Sequence, residues 1–255
     1  MGASQRGMVA LINAFLELLY PSHCAACGLA LGVPTDARRA FCAVCADTLV
    51  PGDGTSCPLC GVMWLDAPVD VPAHPCGRCQ AEPPPWIAAR GAYAYGGALQ
   101  DAIARWKNQP DESLGPRLAQ LLCDAAARTW VDLPADARIV PIPATRAGLA
   151  RRGFNPAGML ARRLARRLDR RFEPRALRFR HEPEKSRGLG RRQRERRMRG
   201  VFDGHTELVA GRSVLLVDDV MTTGATVRSA TQALLRAGAR GVRIAVLARV
   251  PGDAR

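Results

Sequence analysis

The residues best equipped for chemistry lie together near the carboxyl end of the chain. Asp218 and Asp219 follow the continuous apolar run Ser213–Val217, and after Val220 comes Met221-Thr222-Thr223-Gly224-Ala225-Thr226. An apolar run of this kind reads as a strand buried on both faces. In an open α/β sheet, ligands bind at the carboxyl ends of such strands. The following loop is small, hydroxylated and carries one glycine, and a helical pattern succeeds it. Backbone N–H groups of such a loop, with the helix N-terminus behind them, form a cradle for an anion. The threonines add hydroxyl donors. The two carboxylates cannot hold phosphate; they suit sugar hydroxyls, or a Mg2+ that bridges to a pyrophosphate. The loop lacks the Gly-Lys-Ser/Thr of a P-loop and the glycine spacing of a dinucleotide fingerprint.

The cysteines form a second constellation. Eight of nine fall in Cys-x-x-Cys pairs: Cys24/Cys27, Cys42/Cys45, Cys57/Cys60 and Cys76/Cys79. Two intervening residues let both sulfurs reach one tetrahedral ion. The gaps of 14 residues from Cys27 to Cys42 and 15 from Cys60 to Cys76 suit zinc ribbons. Two four-cysteine sites taken in sequence order are the simplest assignment, with a cross-braced pairing as the alternative. A site with four sulfurs has no open position, so the zinc is structural; an iron–sulfur cluster or a redox dithiol is the rival reading. Gly28 and Gly61 follow two of the knuckles, where a positive φ is often required. His23 and His74 neighbour knuckles that already have four sulfurs, which makes them bystanders. Paired thiols of this kind point to metal in a reducing cytoplasm, not to disulfides.

Particular elements must hold these groups. Residues 21–85 are rich in Gly, Pro and Cys and lack long helical periodicity, and Glu82-Pro83-Pro84-Pro85 reads as a stiff linker closing that module. From Trp86 the pattern turns α/β. Strands are expected at Ala92–Tyr95, Arg138–Ile142, Leu177–Arg180, Val201–Phe202, Ser213–Val217 and Val242–Leu247. Helices are expected at Gly97–Trp106, Leu114–Trp130, Pro156–Leu168 and Thr226–Ala237. Alternating strands and helices imply right-handed βαβ units and a mostly parallel sheet. His181–Arg199 is polar, basic and without apolar period, and reads as a mobile loop. The organisation expected is an apolar helix in residues 1–20, a double zinc ribbon in 21–85, and an α/β domain in 86–255. Met8–Tyr20 is too short to span a membrane, and it lacks the flanks of a signal peptide.

The formal charge is +14. It favours polyanionic contacts, nucleic acid or nucleotide phosphate among them. Between Arg146 and Gly200 there are 19 Arg and one Lys against five acids. Such a stripe suits a phosphodiester backbone. Only Phe154, Phe172 and Phe179 are available there for base stacking, which argues against sequence-specific single-strand recognition.

The segment Val214–Thr226 resembles the phosphoribosyl-pyrophosphate motif of type I phosphoribosyltransferases. The whole chain is similar to the ComF family of competence-associated proteins. Pro141-Ile142-Pro143 with Arg152-Gly153-Phe154-Asn155 matches that family's central signature, and Trp106-Lys107 resembles its Leu-Lys-Phe segment, with Asn108 where Phe is usual. The resemblance implies a type I phosphoribosyltransferase-like sheet flanked by helices, behind an N-terminal zinc-ribbon module. It implies that Asp218 and Asp219 contact the ribose hydroxyls, that Thr222, Thr223, Gly224, Ala225 and Thr226 hold the 5′-phosphate, and that Met221 belongs to the same binding loop. Phosphoribosyl pyrophosphate with Mg2+ is the implied ligand. Pro141–Thr145 would be the turn on pyrophosphate, with Arg146 offering charge. Lys185, Arg187 and Arg196, in the basic segment, are the cations placed to stabilise the leaving group. The implied partners are single-stranded DNA or the DNA-uptake machinery, and the implied activity is phosphoribosyl transfer. The alternative is a non-catalytic sensor of the same ligand that contacts DNA.

Overall fold

The computed structural model describes residues 23–31, 40–52, 56–65, 73–108, 113–183 and 191–252. The apolar segment Met8–Tyr20 lies outside them, as do Lys185 and Arg187. The strands are β1 (Ala88–Ala94), β2 (Arg138–Pro141), β3 (Arg171–Phe172), β4 (Leu177–Phe179), β5 (Phe202–Gly204), β6 (Ser213–Met221) and β7 (Gly241–Arg249). The helices are α1 (Ala43–Asp47), α2 (Gly77–Ala81), α3 (Gly97–Asn108), α4 (Leu114–Thr129), α5 (Arg146–Arg152), α6 (Pro156–Leu168), α7 (Arg191–Met198), α8 (Thr206–Val209) and α9 (Ala225–Arg236). No helix among the described residues is long and apolar enough to cross a membrane.

Five strands form one parallel sheet in the order β1-β7-β6-β2-β3. Side chains alternate across β6. Leu215 and Val217 join the core beneath α3, α4 and α6, with Leu99, Trp106, Leu118 and Leu160. Val214 and Leu216 join the opposite core with α9, through Val227 and Leu234. Both faces are covered, which is why Ser213–Val217 reads as an unbroken apolar run. The α6 boundaries match the expected helix because Pro156 sits in its first turn and Leu160, Ala161, Leu164 and Ala165 make one buried stripe.

Three expectations need correction. The first core strand begins at Ala88, not Ala92. Its polar Arg90 and its Gly91 obscure the pattern, yet β7 pairs with it from Ala88 to Ala94. Gly91 is required by crowding, since a Cβ there would lie 2.6 Å from Arg249 Cβ. The strand β6 runs on through both acids to Met221, so the carboxylates belong to the strand rather than to the loop. Within the basic segment, Arg191–Met198 is a helix. It lacks an apolar stripe because Met198 is its one buried anchor among the described side chains. The antiparallel ribbon β4–β5 closes the base of this segment, with Phe179 stacked on Phe202 at 5.0 Å.

The cysteine-rich part is packed onto the sheet, and Glu82–Pro85 does not hold it at a distance. β1 is an edge strand, and the zinc-ribbon backbone covers its free side. Gly52 N–H donates to Ala92 O at 2.8 Å, Ala94 N–H to Val50 O at 2.8 Å, and Ala89 N–H to Leu59 O at 2.9 Å. An edge that would otherwise present open N–H and C=O groups is thereby closed.

Candidate functional site

The four knuckles assemble in sequence order. Cys24, Cys27, Cys42 and Cys45 form one set, and Cys57, Cys60, Cys76 and Cys79 the other; within each, the sulfurs all lie within 4.8 Å. The two sets share one local design. Cys24 N–H donates to Leu29 O and Gly28 N–H to Cys24 O; likewise Cys57 N–H donates to Val62 O and Gly61 N–H to Cys57 O. Gly28 and Gly61 take φ of 77° and 63°, as the turns demand. Cys42 and Cys76 then cap α1 and α2. His74 stacks on Trp64 and joins neither set.

The donor sets fit zinc. The Sγ atoms of Cys27 and Cys42 are 3.8 Å apart, and those of Cys60 and Cys76 are 3.7 Å apart. A tetrahedron with metal–sulfur bonds of about 2.3 Å has edges of about 3.8 Å. Four thiols this close cannot all ionise unaided. Against the penalty of burial, backbone N–H groups, those of Cys42 and Cys27 among them, lower Cys24 to about 6. In the same way the N–H groups of Cys60 and Cys76 help lower Cys57 to about 7. Burial and the neighbouring sulfurs push Cys45 up to about 12 and raise Cys79. A divalent cation resolves the conflict by stabilising all four thiolates. With four protein ligands each, both centres are closed and structural.

At the far end of β6 a cleft is lined by Met198, Asp218, Val220, Met221 and residues 222–227. The expected loop residues Met221, Thr222, Thr223, Gly224, Ala225 and Thr226 are therefore together. Gly224 has φ 81° and caps α9; a Cβ there would meet Met221 Cε at 2.9 Å. The α9 N-terminus lies directly behind the loop, where its dipole favours an anion.

The loop carbonyls are tied down on the side away from this cleft. Arg249 Nη1 donates to Met221 O at 2.9 Å and Thr222 O at 2.6 Å, and Arg78 Nη1 to Thr223 O at 2.7 Å. In a trans peptide the C=O of one residue and the N–H of the next point opposite ways, and no cis peptide bond is present among the described residues. The arginines therefore turn the N–H groups of Thr222, Thr223 and Gly224 toward the cleft that these residues line. Among the described residues those three groups have no hydrogen-bond acceptor. The arrangement is an anion cradle with its donors already oriented.

The two acids separate by strand alternation. Asp218 lines the cleft, and its Oδ1 accepts the Asp219 N–H at 2.9 Å. Burial, then the neighbouring Asp219 charge, push the Asp218 carboxyl up to about 7, opposed by that N–H and by Lys107. Asp219 faces the other side, where Lys107 Nζ of α3 is 2.7 Å from its Oδ2. Lys107 is a site residue that charge and periodicity did not single out; its one signal was its place beside Trp106. Trp106 stacks on Phe154 at 5.5 Å, Gly153 ends α5 with φ 78°, and Asn155 Nδ2 donates to Ile142 O at 3.0 Å. The sequence signature around Arg152–Asn155 thus braces the end of β2 and the helix that supplies Lys107. Burial and Arg151 lower the Arg152 pKa, while the Asp219 charge opposes them.

Other expected site residues stand apart. Pro141 is buried at the end of β2, paired in register with Val217, and does not line the cleft. Arg146 is exposed; its N–H donates to Glu182 Oε1 at 2.8 Å, and its Nε is 3.9 Å from the same carboxylate. Arg196 is exposed on α7, whose Met198 is the residue that reaches the cleft.

Fold and site together define an α/β protein of phosphoribosyltransferase type carrying two zinc-ribbon centres. Residues 145–255 match the phosphoribosyl transferase domain family, and residues 15–85 the double zinc ribbon domain family. The chain is 32% identical over 237 residues to the DNA utilization protein YhgH of Escherichia coli, spanning 91% of this chain and 99% of that one. It is 28% identical to competence protein F of Haemophilus influenzae, covering 84% and 92% of the two chains. With competence protein ComFC of Bacillus subtilis the identity is 26%, over 77% and 78%. The chain belongs to the ComF family.

Proposed function

We propose that the cleft binds phosphoribosyl pyrophosphate with Mg2+. The observation that carries this reading is the cradle itself: three N–H donors turned into a cleft at a strand end, with a carboxyl group beside them. The N–H groups of Thr222, Thr223 and Gly224, with the Thr226 hydroxyl, would hold the 5′-phosphate, as in the motif the loop resembles. Asp218 would accept from a ribose hydroxyl, and Asp219 from the other once Lys107 yields it. Mg2+, when bound with the ligand, neutralises pyrophosphate charge. Transfer would break the C1′–oxygen bond, with pyrophosphate leaving with the electron pair. The acceptor's lone pair would form the new bond to C1′ and its proton would pass to solvent. The names of the relatives support a role in DNA uptake or use. Eight cysteines gathered in two metal sets support a reducing, cytoplasmic setting.

A second reading, sensing of the same ligand coupled to single-stranded DNA contact, is favoured by the exposed arginines of α6 and α7. Release of pyrophosphate with a nucleobase or amine acceptor would support transfer. Ligand binding without release, combined with steeply salt-dependent DNA binding that the ligand alters, would support sensing. Failure of both would leave the zinc-loaded protein without either role.

A further inference from the structure

One buried cation joins the second cysteine centre to the loop. Arg249 is 5% exposed. Its Nε donates to Cys60 O at 3.1 Å, and its Nη1 to Met221 O, Thr222 O and Val250 O at 2.9, 2.6 and 3.0 Å. Arg78 lies between the ligands Cys76 and Cys79 and donates to Thr223 O. A planar guanidinium with its donors in a fixed fork transmits position from one backbone to another. Four thiolates around one divalent ion would carry a net negative charge, which would favour cations held beside them. Without metal the knuckles lose the cross-link that fixes both the Cys60 carbonyl and the α2 backbone carrying Arg78.

We propose that Arg249 and Arg78 are positioning residues through which metal at Cys57, Cys60, Cys76 and Cys79 sets the geometry of the phosphate cradle. This rests on the ligand reading above and adds its regulation: loss of metal from that centre lets the carbonyls of Met221, Thr222 and Thr223 rotate, so the cradle's N–H groups lose their common direction. The first cysteine centre is tied instead to α3, whose Arg105 donates to the carbonyls of Cys24, Ala25 and Ala26.

The test uses the full zinc-loaded chain and its Arg249→Met, Arg249→Lys, Arg78→Met and Arg105→Met variants. Three quantities are measured: zinc content, backbone amide order parameters in residues 221–226, and calorimetric affinity for phosphoribosyl pyrophosphate with Mg2+. Arg249→Met and Arg78→Met should keep two zinc ions, lower the order parameters of residues 222–224 from about 0.85 to below about 0.6, and bind at least tenfold more weakly. Arg249→Lys keeps the charge but not the fork, and should remain at least fivefold weaker than the parent. Arg105→Met should leave the loop order parameters unchanged and the affinity within twofold. Unchanged loop order parameters in Arg249→Met, or an equal change in Arg105→Met, would overturn the proposal. Order parameters need no ligand: a parent that fails to bind, with a loop that still responds to Arg249, would refute the ligand reading and leave the coupling standing.

Discussion

The two cysteine centres are built alike and attached differently. Each has a glycine turn after its first knuckle, a helix with its third cysteine at the N-cap, and a guanidinium from the α/β part bonded to the carbonyl of a ligand cysteine, Cys24 in the first and Cys60 in the second. The difference lies in what that guanidinium touches next. Arg105 belongs to α3 and anchors the first centre to a helix of the core, with Arg117 Nη1 adding a bond to His23 O at 2.8 Å. Arg249 ends β7 and holds the loop after β6 as well as the second centre. The first centre therefore acts as a clamp on helices and the second as a brace behind the loop of the candidate site. Identical metal chemistry is put to separate uses by the backbone that each arginine bridges.

The largest contrast should come from the ligands. Cys57 is buried and accepts N–H bonds from Cys60 and Cys76 at 3.5 and 3.3 Å, whereas Cys27 is exposed. Cys57→Ser should remove one zinc ion and lower the melting midpoint by on the order of 10 °C, from a loss above about 4 kcal/mol. Cys27→Ser should lower it by clearly less. Zinc release and thermal unfolding of the pair decide the matter; equal effects would erase the distinction.

Next come the glycine turns. An alanine at Gly61 would place Cβ 2.6 Å from Ala89 O, in the backbone of β1, whereas at Gly28 the nearest atom is Arg105 Nη1 at 3.6 Å. Gly28→Ala should cost the left-handed conformation alone, about 1 kcal/mol, and Gly61→Ala at least about 2 kcal/mol. Denaturant unfolding measures both.

A smaller effect concerns pH. Asp218 is raised to about 7, so between the ordinary aspartate value of about 4 and that value the folded chain keeps a proton that the unfolded chain releases. Its contribution to stability is present in acid and is lost as pH rises toward 7. Ligand hydroxyls need the ionised form, so affinity should rise by up to about tenfold per pH unit below 7 and level off above it. Asp219→Asn removes the neighbouring charge and should move that midpoint to lower pH; Lys107→Met should move it higher. Affinity measured from pH 5.5 to 8.5 in the three proteins tests the signs.

Much of this was legible in the chain. The run Ser213–Val217 could only be a strand covered on both faces, and its acids, threonines and glycine marked where a ligand would sit. The cysteine spacing led to two closed sets in sequence order. What stayed hidden depends on single residues distant in sequence. Nothing around Arg249 or Arg78 distinguishes them from the other arginines of a basic chain, because their role is fixed by carbonyls that only the fold brings near. Lys107 was visible only as part of a resemblance. The helix Arg191–Met198 was unreadable because one methionine anchors it and no stripe repeats. The packing of the cysteine centres against β1 was masked by prolines that suggest a spacer, while several of the bonds that join the two parts run between backbone atoms.

The central claim is that the cradle binds a phosphoribosyl group, and calorimetric titration of the zinc-loaded chain with phosphoribosyl pyrophosphate and Mg2+ tests it most directly. The account predicts one site per chain. It also predicts that Asp218→Asn weakens binding by about 10- to 100-fold, the worth of a hydrogen bond to a charged group, with both zinc ions retained. Absence of binding to the intact protein, or binding indifferent to Asp218→Asn, would contradict it.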